Sequence, residues 1–232
     1  MNNLHDAITE VRQRIAEAAQ RAGRRAGDVR LIAVSKRRPV ESIQTLLSLG
    51  QNDFGENQMQ EAIDKIDQIN EPSINWHFIG HLQSNKTRYV GGNFNWVHTV
   101  DSVKLARRIA ASASETGCII NLLLQVNVSG DPAKHGLPED ALYPLIETVL
   151  TEDLKTVRLR GLMTIGYRDI SESETRRSFA HLRELLETCQ TRYGPDFSEL
   201  SMGMSRDYPL AIEEGSTMVR IGHTLFNEVR LD

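Results

Sequence analysis

The sequence predicts a single-domain α/β protein: a closed (β/α)8 TIM barrel of parallel strands, with an extra helix at the N-terminus. Three observations carry this expectation. Short apolar runs bounded by turn residues alternate along the chain with amphipathic helical patterns. Several runs, such as Leu31-Ile32-Ala33-Val34 and Leu122-Leu123-Leu124, are apolar on both faces, as parallel strands covered by helices must be. The 232 residues suit one such barrel, and no repeat, linker-like or low-complexity stretch divides them. The expected domain is therefore 1–232, with 1–28 supplying a helix packed on the barrel. An open doubly wound sheet is the alternative, and a strict alternation with eight strands argues against it.

Residues 4–22 read as the first helix because Leu4, Ile8, Val11, Ile15 and Ala18 recur at helical spacing. Asp6, Glu10 and Glu17 lie among its arginines, and transit peptides avoid acids. Strands are expected at 29–35, 52–55, 76–80, 96–100, 119–128, 157–165, 199–203 and 218–221. Helical patterns fall at 40–49, 58–69, 84–90, 102–114, 138–150, 173–191 and 208–214, with a short helical tail after the last strand. The polar segment 129–136 after the fifth strand is either a ligand loop or a plain solvated connection.

Composition excludes several classes. The hydrophobic fraction of 40% and charged fraction of 25% are ordinary for a globular protein, and a net charge of −4 provides no basic field for nucleic acid or anionic membranes. No run approaches the ~20 apolar residues of a membrane span, and the N-terminus has no apolar signal region. Cys118 and Cys189 form no CxxC pair and suit two reduced thiols of a cytoplasmic protein.

An α/β barrel carries its site at the C-terminal ends of its strands. The first strand ends in Val34-Ser35-Lys36, and a desolvated lysine there can attack an aldehyde or hold a phosphate. The second ends in Phe54-Gly55-Glu56-Asn57, where Asn57 offers both donor and acceptor to a ligand. His77 and His81 straddle the third strand's end with no carboxylate beside them in sequence, so a metal pair is disfavoured. Ser201-Met202-Gly203-Met204-Ser205 and Arg220-Ile221-Gly222-His223-Thr224 follow the last two strands, where barrels commonly bind phosphate. A phosphate, an aldehyde and a planar polar ring describe pyridoxal 5′-phosphate (PLP) better than a sugar phosphate, which an aldolase-like barrel would take.

These segments, with His77-Phe78-Ile79-Gly80-His81-Leu82-Gln83-Ser84-Asn85-Lys86 and Val219-Arg220-Ile221-Gly222, resemble the YggS/PROSC family of PLP homeostasis proteins over essentially the whole chain. The resemblance implies a barrel like the N-terminal domain of alanine racemase. It implies that Lys36 carries PLP as an aldimine, that Asn57 lies near the ring, that Ser205, Gly222 and Ser201 hold the phosphate, and that Arg220 faces the pyridine nitrogen. It further implies a PLP carrier or regulator affecting amino-acid and keto-acid balance, without efficient turnover. PLP-dependent apo-enzymes are the expected partners and a monomer the expected state; a racemase or lyase is the alternative. Phe226-Asn227 departs from the family's usual Phe-Gly, which concerns only the C-terminal turn.

Overall fold

The computed structural model describes residues 4–128, 135–166 and 170–226. Its strands are β1 (Arg30–Val34), β2 (Asp53–Glu56), β3 (Asn75–Phe78), β4 (Trp96–Val100), β5 (Ile120–Gln125), β6 (Val157–Met163), β7 (Glu199–Met204) and β8 (Met218–Ile221). Each pairs in parallel with the next, and β8 returns to β1, pairing Arg30 with Met218 and Ile32 with Arg220. The sheet is thus closed, and the open-sheet alternative is discarded.

Helix α1 (Leu4–Arg21) precedes the barrel and packs on α2 (Val40–Ser48), α7 (Tyr208–Glu213) and α8 (His223–Phe226). It buries Ala7, Ile8, Val11, Ile15, Ala18 and Ala19, the stripe that its spacing predicts. The remaining helices are α3 (Met59–Ile69), α4 (Val103–Thr116), α5 (Leu142–Thr151) and α6 (Glu172–Tyr193). Local chemistry sets their ends. Ser102 accepts from the Leu105 N–H to start α4, and Ser171 with Glu174 forms a reciprocal capping box on α6.

Two expectations are corrected. The helix predicted at 84–90 is only a 3-10 turn, Thr87–Tyr89. Gly91 stops it by packing on α4, where a Cβ would stand 2.2 Å from the Ser112 carbonyl oxygen. The strand predicted at 119–128 is shorter, Ile120–Gln125; beyond it Val126 still donates to the Met163 carbonyl (2.9 Å) and forms an isolated bridge with Leu137. Most of segment 129–136, including Lys134, lies outside the described residues, as does Asn227.

The apolar core is mainly between strands and helices. A smaller cluster of Ile32, Trp96, Leu123, Met163 and Met218 fills the inside of the barrel. Among the described residues no helix is long and apolar enough to cross a membrane, and both cysteines are free.

Candidate functional site

Strand register assembles the mouth. Val34 pairs with Gly55, so the turn that carries Lys36 and the loop that carries Asn57 leave neighbouring strands at the same end of the barrel. Arg220 pairs with Ile32, which brings Gly222 against Val34; a Cβ on Gly222 would lie 3.3 Å from the Val34 Cβ. Lys36 is exposed in the turn after β1. Asn57 is half-buried, and its buried Oδ1 accepts no hydrogen bond from a described residue. At Gly80 a Cβ would stand 2.1 Å from the Asn57 carbonyl oxygen, so only glycine lets the loop after β3 close on Asn57. The loops after β7 and β8 are tied together. The Thr224 N–H donates to Ser205 Oγ (3.3 Å), and the Thr224 hydroxyl donates to the Ser205 carbonyl (3.5 Å). Thr224 belongs to a segment the sequence offers for anion binding, but nothing in the sequence singles it out as the residue that ties the two loops together.

A buried polar knot backs the Lys36 turn. Lys65 Nζ, on α3, donates to the Ser35 carbonyl (2.7 Å), Glu56 Oε1 (2.8 Å) and Glu61 Oε1 (2.7 Å). The Ser35 hydroxyl also donates to Glu56 Oε1 (2.7 Å). Glu61 accepts the backbone N–H of Arg37, which sits at φ 58° in the left-handed region that favours glycine. The strained residue next to Lys36 is therefore fastened to α3. Burial pushes the Glu56 carboxyl up, partly offset by Lys65 and Ser35. Burial acts upward on Glu61 too, but Lys65 and the Arg37 N–H outweigh it and hold that carboxyl below its ordinary value. Sequence reading missed Lys65, since a lone lysine on an amphipathic helix looks like a solvated one.

Below the mouth lies Arg220, which is 4% exposed. It donates to Ser201 Oγ (2.7 Å) and to the Thr164 carbonyl (2.9 Å). Burial pulls its pKa down to about 10. Ser201 departs from expectation: its side chain is fully buried inside the barrel, engaged by His98 and Arg220, one layer below the loop that carries Ser205. The physical reason is strand alternation, which turns Ser201 inward within β7. His77 and His81 also part. His77 is fully buried beside Asp53 (3.0 Å) and His98 (2.9 Å), whereas exposed His81 stacks on His135. The carboxylate that sequence could not place next to His77 is Asp53, on the neighbouring strand. Inward parity of Asp53, His77, His98 and Ser201 was the available signal, hidden by an apolar reading of the strands.

The alanine racemase N-terminal domain family matches this chain over residues 9–228. A pyridoxal phosphate homeostasis protein of Pseudomonas aeruginosa is 44% identical over 226 residues, covering 97% of this chain and 96% of that protein. The chain belongs to the pyridoxal phosphate homeostasis protein family. An Escherichia coli K12 member is 40% identical over 232 residues, covering 97% of each chain. PipY of Synechococcus elongatus, a structure with PLP bound, is 40% identical with a TM-score of 0.79, covering 91% of this chain and 99% of that one. Membership of this family agrees with the closed eight-stranded barrel.

Proposed function

We propose that this chain binds PLP at the C-terminal mouth of its barrel and acts in PLP homeostasis, holding and releasing the cofactor without efficient turnover. One observation carries the reading. The strand ends carry, at the same end of the barrel, a lysine, an acceptor that no described residue satisfies and loops rich in hydroxyl and backbone donors, with a buried arginine beneath. Those groups match an aldehyde, a polar ring edge, a phosphate and a ring nitrogen. The names of the relatives support the same ligand.

Bound PLP would supply an electrophilic aldehyde carbon and a ring able to withdraw electrons. Lys36 would hold it covalently through Nζ, on a turn that Glu61 and Lys65 keep in place. Asn57 would lie at the ring edge. Ser205, Thr224 and the backbone at Gly222 would hold the phosphate. Ser201 would act beneath them by fixing Arg220. Arginine only donates, and with a pKa of about 10 Arg220 keeps its protons at neutral pH. Facing the ring nitrogen, it would leave that nitrogen unprotonated and the ring a weak electron sink. Carbanion chemistry is thereby disfavoured, and storage or delivery to PLP-dependent apo-enzymes is the remaining use. We further infer a cytoplasmic location, which the two free thiols support, and a monomeric state.

The test incubates protein and PLP with L-amino acids in deuterated water. The expected result is a yellow protein that hands PLP to an apo-enzyme and exchanges Cα protons no faster than free PLP. Exchange at ordinary enzymatic rates, with D-amino acid or keto acid accumulating, would replace this reading by a racemase or lyase.

A further inference from the structure

A continuous chain of side chains, buried beyond its first member, crosses the inside of the barrel from β2 to β8. Asp53 stands at the N-terminal end of β2, in an open cleft that Arg12, Arg30 and Asn75 also line. Its Oδ1 lies 3.0 Å from His77 Nε2. His77 Nδ1 lies 2.9 Å from His98 Nε2, and His98 Nδ1 lies 2.9 Å from Ser201 Oγ. Arg220 Nη1 then donates to that oxygen at 2.7 Å. His77, His98 and Ser201 are fully buried, and Ile32, Trp96, Leu123, Met163 and Met218 pack the interior around them. Trp96 lies almost parallel to His77 at 5.7 Å, which fixes that ring's plane.

Elementary hydrogen-bond accounting leaves one proton arrangement. A carboxylate only accepts, so His77 must donate from Nε2 to Asp53. Burial pulls His77 below its ordinary pKa and His98 well below, the latter helped by His77 and Arg220, so both rings are neutral at pH 7. His77 Nδ1 is then bare and accepts from His98 Nε2. His98 Nδ1 is bare in turn and accepts from the Ser201 hydroxyl. With its single proton committed, Ser201 Oγ accepts from Arg220. Every donor therefore points the same way, from the guanidinium to the carboxylate. Other charges at the lower end are Arg30, 3.8 Å from Asp53 and 3.9 Å from Glu199, and Glu199 itself. At the upper end Asp207 is the acid that acts on Arg220.

We propose that Asp53, His77, His98 and Ser201 form a directional relay that orients the Arg220 guanidinium from the opposite end of the barrel, making Asp53 a positioning residue for the cofactor-facing arginine. A buried arginine needs acceptors to fix its plane. Only one of those found here, the Thr164 carbonyl, is backbone; the other, Ser201, accepts in this geometry because its proton is drawn towards His98. The relay rests on the PLP reading only for what Arg220 faces; the proton arrangement stands without it.

The experiment is nitrogen-15 NMR of the histidine rings at pH 7, on protein with and without added PLP. The expected result is two neutral rings, each with its proton on Nε2. A proton on Nδ1 of either ring, or a histidinium, would overturn the relay in the wild-type chain itself. Asp53→Asn keeps the shape but removes the obligate acceptor. It is expected to mix the tautomers at both rings and to shift the Arg220 guanidinium resonance. In a Ser201→Ala background the same change should leave that resonance unmoved. An Arg220 signal indifferent to Asp53→Asn, in a variant that melts like wild type, overturns the proposal. Failure of the PLP reading looks different: the tautomers stand as expected, but Arg220→Lys leaves the visible absorption of PLP-loaded protein unchanged.

Discussion

At the scale of single residues, Lys36 and the knot behind it make separate predictions. Lys36→Ala should abolish the visible PLP band and the borohydride-fixed adduct on that residue. Peptide mapping that found the wild-type adduct mainly on Lys134 would move the attachment point to the segment after β5. Lys65 should instead govern stability. Its partner Glu56 has no exposed side-chain surface, and Lys65 itself is 8% exposed. Removing one member of such a buried pair typically costs about 3–5 kcal/mol, because the other charge is left without compensation. Lys65→Met should show a loss of this size in urea unfolding. The double variant Lys65→Met, Glu56→Gln should recover part of it, since no lone buried charge remains. Equal losses in the two proteins would mean that packing, not charge, accounts for Lys65.

At the scale of elements, the loops after β7 and β8 should work as one unit because Thr224 bonds twice to Ser205. A hydrogen bond to a charged group contributes about 1.5–3 kcal/mol, so Ser205→Ala should weaken PLP binding roughly tenfold or more by fluorescence titration. Gly222→Val should weaken it further, as its side chain would press on Val34. Retention of wild-type affinity in both variants would remove these loops from the phosphate site. The cap of α6 provides a contrast. Ser171→Ala breaks the capping box and should cost about 1 kcal/mol of stability with PLP affinity unchanged, as the cap contacts none of the proposed binding residues.

At the scale of the whole molecule, the buried histidines couple folding to pH. Both pKa values are depressed in the folded chain, chiefly by burial. Below the unfolded value of about 6.5, the unfolded chain takes up protons that the folded chain refuses. Stability should therefore fall as pH drops from about 6.5 towards the depressed values, by up to about 1.4 kcal/mol per pH unit for each histidine. Glu56 acts in the opposite sense, because its raised pKa lets the folded chain take a proton first. Comparing wild type with His98→Gln isolates one histidine: the difference in urea midpoint between pH 7.5 and 5.5 should shrink in the variant. An unchanged difference would place the acid sensitivity elsewhere.

Much of this protein was decided locally and was therefore legible in the sequence. The α1 stripe and the strands β4 and β8 at the expected bounds follow from spacing along the chain. Lys36, Asn57, Ser205 and Gly222 could be proposed from the sequence because strand ends in a barrel converge whatever their sequence separation. What only the tertiary structure decided depends on register between strands distant in the chain. His98 meets Ser201 across 103 positions and Arg220 meets Ser201 across 19, so no local pattern announces either contact. Lys65 joins the back of the Lys36 turn by the packing of α3 on β1 and β2. Periodicity reports which face of an element a residue occupies; which groups it meets there is set by closure of the barrel, a property of all eight strands together.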